Sequence, residues 1–114
     1  MTRLRQSIPD APGHLGPVAR EWWLDIVKAF ELEPHHIAVL TRGAEMLDRL
    51  VQAREAVDAD GCFVPDRFKQ LKPHPGLAVQ KDCTTLFLRA TRELGLDYSE
   101  VPDSRPPRLT GSKR

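Results

Sequence analysis

PHHIAVLTRGAEMLDRLVQAREAVDAD, residues 34–60, is the stretch that decides the fold. Ile37, Leu40, Ala44, Leu47 and Val51 recur at a 3-4-3-4 spacing, which on an α-helix makes one narrow apolar seam. Val39, Met46, Leu50 and Val57 form a second strip beside it. A helix with two strips asks for two neighbours, and the spacing predicts one within the protomer and one across an interface between copies. Proline suits the first helical position, where its missing N–H would be unpaired anyway. Pro34 therefore opens this helix, and Gly61 is placed to end it with a positive φ.

Working outward, Pro17 opens a preceding helix over 17–32, with Val18, Trp22, Ile26 and Phe30 at every fourth position and Trp23 and Val27 widening the stripe. Pro75 opens a third helix to about residue 95, with a core face of Val79, Cys83, Leu86, Phe87, Ala90 and Leu94. Gly95-Leu96 has the form of a Schellman ending. Between the second and third helices, Cys62-Phe63-Val64 and Phe68–Lys72 are short extended candidates around Pro65-Asp66-Arg67, giving either a small hairpin or a plain loop. The expected organisation is a flexible N-terminal arm over 1–14, a mainly α core of three helices over 15–96, and a flexible basic tail over 97–114.

The formal charge of +1 hides an asymmetry. Residues 1–20 carry +2 and residues 102–114 carry +3, while 21–101 carry −4. An acidic helical body with basic ends suits a chain that meets a polyanion. No run approaches the ~20 apolar residues of a membrane span, and the first residues lack the apolar core of a signal peptide. Two cysteines make no disulfide framework, and a cytoplasmic setting is the simplest expectation.

The residues give no catalytic constellation, metal site or cofactor site. His35 and His36 are adjacent, so on a helix they diverge by about 100°, and His14 and His74 stand alone as polar residues at helix starts. Cys62 and Cys83 lack partners at zinc-ligand spacing. The serines have no nucleophile elbow, and no glycine cluster could cradle a phosphate. The interior positive cluster is Arg67, Lys69, Lys72, His74 and Lys81, interleaved with Phe68 and Leu71. With the ends, it gives candidate DNA contacts at Arg3, Arg5, Arg67, Lys69, Lys72, Arg105 and Arg108. Trp22, Trp23, Met46, Leu47 and Leu50 are the candidate oligomer interface.

Three motifs in order carry a resemblance. Leu15-Gly16-Pro17 with Trp22-Trp23 resembles the Leu-Gly-Pro start and early helical tryptophan of the P27-like phage terminase small subunits. Lys72-Pro73-His74-Pro75-Gly76-Leu77 resembles their His-Pro junction into a last helix. Leu94-Gly95-Leu96 followed by Pro102-Asp103-Ser104-Arg105 resembles their closing element, although Asp97–Val101 intervene here. The resemblance implies a ring-forming, non-catalytic protein that binds double-stranded viral DNA and delivers it to the large terminase subunit, which carries the ATPase and nuclease. The alternatives are a small helical DNA-binding transcription regulator and a phage structural adaptor that never touches DNA. The regulator would read bases from the start of the second helix, yet Pro34-His35-His36-Ile37-Ala38 is poor in base-reading side chains.

Overall fold

Proline begins each helix: α1 at Pro17 (Pro17–Ala29), α2 at Pro34 (Pro34–Asp60) and α3 at Pro75 (Pro75–Glu93). Between α2 and α3 lie β1 (Phe63–Pro65) and β2 (Leu71–Pro73), an antiparallel pair. This is the arrangement in a computed structural model, which describes residues 9–96. The expected mainly α class is therefore observed, with a hairpin rather than a plain loop between the second and third helices.

Each residue of Leu15-Gly16-Pro17 has a separate physical task. Leu15 is buried in the core. The Gly16 N–H donates to both carboxylate oxygens of Asp48 on α2, at 3.2 Å each. A Cβ on Gly16 would stand 2.6 Å from Asp48 Oδ1, so a larger residue here would make the Asp48 side chain shift. Pro17 then starts α1. His14 bonds Glu45 at 2.8 Å, and Ala11 packs on the core. Residues 11–14, expected in a flexible arm, are thus held against α2.

α1 stops at Ala29, three residues short of the expected end. Phe30 is extended (φ −131°, ψ 150°). Pro34 drives Glu33 out of the helical region, and Glu33 becomes the α2 N-cap at φ −79°, ψ 163°. Its side chain accepts from the His36 backbone while His36 Nδ1 accepts the Glu33 N–H at 3.2 Å, a reciprocal cap. α3 ends as expected: the Leu96 N–H reaches Thr91 C=O at 2.8 Å and the Gly95 N–H reaches Arg92 C=O at 2.9 Å, with Gly95 at φ 78°.

Both strips of α2 meet other elements of the same chain and are partly buried by them. Leu15, Ala19, Trp23, Leu40 and Ala44 form the core between α1 and the first half of α2, with Ile37 and Leu47 packed against it. The second strip lies against α3, where small residues allow close approach. A Cβ on Gly43 would meet the Ala90 methyl at 3.0 Å, and Ala53, Val57, Cys83 and Ala90 are buried along the seam. Trp22 wedges beside this junction, its ring 5.0 Å from that of Phe87. α3 of the same chain is therefore one of the neighbours of α2.

Glu45 is engaged from two sides, by His14 at 2.8 Å and by Arg42 at 2.9 Å. The hydrogen bond from His14, then that from Arg42, holds its carboxyl below the ordinary glutamate value, against an opposing effect of burial. A carboxylate depressed in the folded state contributes stability above the unfolded carboxyl pKa and loses it as pH falls through the folded one. Stability is therefore expected to fall on acidification below about pH 4.5. Glu45→Gln should flatten that limb in urea melts taken at several pH values. An unchanged limb would show that Glu45 does not contribute to it.

Candidate nucleic-acid interface

The hairpin is organised by one carboxylate. Asp66 Oδ1 accepts the N–H groups of Phe68 (2.8 Å) and Gln70 (2.9 Å), and the Asp66 N–H donates to Gln70 C=O (2.8 Å). Lys69 sits in the left-handed region at φ 66°, completing the reversal. The turn is therefore Asp66–Gln70, not the expected Pro65–Arg67, and β2 starts at Leu71. An aspartate directly after proline was the available signal for an Asx-type turn, and the hydrophobic pattern did not use it.

This scaffold displays the basic side chains. Arg67, Lys69 and Lys72 are all exposed, and Phe68 is 72% exposed at the tip. The Arg67 guanidinium lies 5.3 Å from the Phe68 ring centroid, a cation–π contact that pairs an aromatic face with a charge. Lys72 pairs with Val64 across the strands. The structure thus brings Arg67, Lys69 and Lys72 onto one projecting element. Arg3, Arg5, Arg105 and Arg108 lie outside the described residues.

His74 does not belong to this surface. Its ring is buried, with Nδ1 accepting the Gly76 N–H at 2.8 Å and Nε2 bonded to Asp60 at 2.9 Å. Its backbone N–H donates to Cys62 C=O at 2.7 Å. One residue therefore caps α3, reaches the end of α2 and closes the hairpin. The sequence identified a polar residue at a helix start, but not its burial.

The candidate interface residues are placed unevenly. Trp23 is 2% exposed and donates from Nε1 to Thr41 Oγ1 at 3.2 Å, so it belongs to the core and offers no surface to a partner. Leu47 packs on the same core, and Trp22 is half-buried against Phe87. Met46 and Leu50 are also half-buried, on the strip facing α3. Among the described residues the most exposed large apolar side chains lie elsewhere, at Phe63, Phe68 and Leu71 of the hairpin.

Among the described residues no group of three His, Cys, Asp or Glu side chains is arranged to hold a metal ion. Cys62 is exposed and Cys83 buried, both as free thiols. No described helix is long and apolar enough to cross a membrane. No family model, curated protein or solved structure matches this chain.

Proposed function

We propose that the chain is a phage terminase small subunit: a non-catalytic homo-oligomer that binds double-stranded viral DNA and passes it to the large terminase subunit in the host cytoplasm. The observation that carries the DNA-binding part is the hairpin. Residues 61–74 hold Arg67, Lys69 and Lys72 against Asp66, a net +2, while the rest of residues 9–96 holds eight Lys and Arg against twelve Asp and Glu. A basic projection on an acidic body can meet a phosphate backbone while the body is kept away from it. The terminase assignment rests on the order of the Leu-Gly-Pro, His-Pro and Leu-Gly-Leu motifs. The regulator reading is less well supported, because His36 is already engaged in the α2 cap and the start of that helix offers few base readers.

Titration of a labelled duplex tests the reading. If the three hairpin cations each neutralise one phosphate, they should account for about 40-fold of the affinity lost between 50 and 200 mM salt. The triple variant Arg67→Ala, Lys69→Ala, Lys72→Ala should bind more weakly, with a shallower log–log salt slope by about 2.7. Equal affinity and slope would remove the hairpin from the DNA surface. No binding by the wild type at low salt would refute the DNA-binding function itself.

A further inference from the structure

Phe68 does little for the fold. It stands at the tip of the hairpin, 72% exposed, and the two strands pack mainly on each other rather than on a helix. A phenylalanine held in water is unfavourable, and contact with a partner would relieve it. The turn nevertheless fixes its place. Asp66 Oδ1 accepts the Phe68 N–H at 2.8 Å and the Gln70 N–H at 2.9 Å, and the Lys69 N–H closes the turn on Asp66 C=O at 2.9 Å. Asp66 is the only acid of residues 61–74. These bonds occupy the carboxylate that would otherwise face a polyanion.

The neighbours of Phe68 narrow what its partner is. Arg67, Phe68, Lys69 and Gln70 are all exposed, and the Arg67 guanidinium lies 5.3 Å from the ring centroid. Among the described residues no ion pair engages Arg67 or Lys69. A matching partner offers anions on both sides of a flat apolar surface. Duplex DNA has both, with phosphates along each edge of a groove and stacked base faces between them. Arginine, lysine and glutamine around an inserted apolar side chain are the means by which minor-groove proteins open a base step. A single strand would instead call for a row of aromatic rings along a groove. The other ring of the hairpin, Phe63, pairs with Pro73 at the end of the ribbon away from the turn, so Phe68 stands alone at the tip.

We propose that Phe68 is a wedge: it enters the minor groove of duplex DNA, partly unstacks one base step and bends the duplex, while Arg67 and Lys69 hold the flanking phosphates. This wedge rests on the DNA-binding function proposed above and gives it a mode. The charges supply affinity along any duplex, and the ring adds a dependence on how easily the duplex deforms. Pyrimidine–purine steps kink and unstack readily, whereas A-tracts are stiff. The tip therefore prefers the former without reading a base edge.

Energy transfer between dyes at the two ends of a short duplex tests this with the full chain, using duplexes of one length with either a central TA step or an A-tract. The wild type should bind the TA duplex more tightly and bend it by about 20–90°. Phe68→Ala should bind that duplex at least about tenfold more weakly and lose the bend. Its log–log salt slope should equal that of the wild type, because no charge is removed. Phe68→Leu, still an apolar wedge, should keep most of the affinity and the bend. The ring lies in solvent, so both variants should melt close to the wild type. Binding and bending by Phe68→Ala at the wild-type level would overturn the wedge and leave the DNA-binding function standing. So would a bound duplex that stays straight, or tighter Phe68-dependent binding to a single strand of the same sequence. A wild type that binds no duplex at low salt would refute the DNA-binding function and the wedge with it.

Discussion

Trp23→Ala should lower the unfolding free energy by about 3–5 kcal/mol, the range for removing a buried aromatic side chain from a packed core. Trp23 is 2% exposed and sits in the cluster with Leu15, Ala19, Leu40 and Ala44, the junction that joins α1 to α2. Truncation removes its dispersion contacts, leaves a cavity that flanking helices cannot fully close, and strands the Thr41 hydroxyl that its Nε1 now meets. Domains of this size are stable by only about 5–15 kcal/mol, so the variant should melt far below the wild type and be partly unfolded at 37 °C. Urea denaturation followed by tryptophan emission from Trp22 and by far-ultraviolet dichroism measures this. A loss under about 1 kcal/mol would mean that α1 is not anchored through Trp23.

Gly43→Leu should cost about 3 kcal/mol, toward the upper end of overpacking penalties. A Cβ alone at position 43 would stand 3.0 Å from the Ala90 methyl and 3.3 Å from the Trp22 ring. A leucine adds three more carbons where α1, α2 and α3 converge. It must push α3 away or expel Trp22 from its contact with Phe87. Gly43→Ala is the instructive control. Alanine gains about 1 kcal/mol of helix propensity, while the 3.0 Å contact asks a neighbouring methyl to yield by a few tenths of an ångström. The two effects nearly cancel, and the variant should melt within a few degrees of wild type. A leucine variant as stable as the alanine one would show that the helices part here at little cost.

The helices were legible because their starts are chemically marked. Three prolines at 17, 34 and 75 announce the three helices, and Gly95-Leu96 announces the last ending. The end of α1 was less legible, since the apolar period runs on through Phe30 while the restriction imposed by Pro34 acts backward on Glu33. The neighbours of the two α2 strips were not legible, because periodicity reports that a surface is apolar, not what covers it. The available clue was size: Gly43, Ala53, Gly76, Cys83 and Ala90 are small on both facing helices, which is what a close helix–helix contact within the chain requires. In the candidate interface, the basic side chains were read from type and spacing alone. Their presentation depends on the Asp66 carboxylate and the positive φ of Lys69, which no hydrophobic pattern encodes. The burial of His74 was not legible because a histidine between two prolines belongs to no apolar period, whereas both ring nitrogens and the backbone N–H are satisfied indoors.

That satisfaction also fixes where the ring proton of His74 sits. A backbone amide only donates, so the Gly76 N–H meets a lone pair on Nδ1, and the proton must ride on Nε2, directed at Asp60. In a nitrogen-15 spectrum the ring should show one nitrogen with pyridine character and one with pyrrole character, and the Nε2-bound hydrogen should exchange slowly with solvent. Because the same residue ties the hairpin to α2 and α3, loosening the hairpin would let the tautomers mix and the signal broaden. One imidazole thus serves as a built-in spectroscopic gauge of whether the hairpin moves as part of the helical body or independently of it.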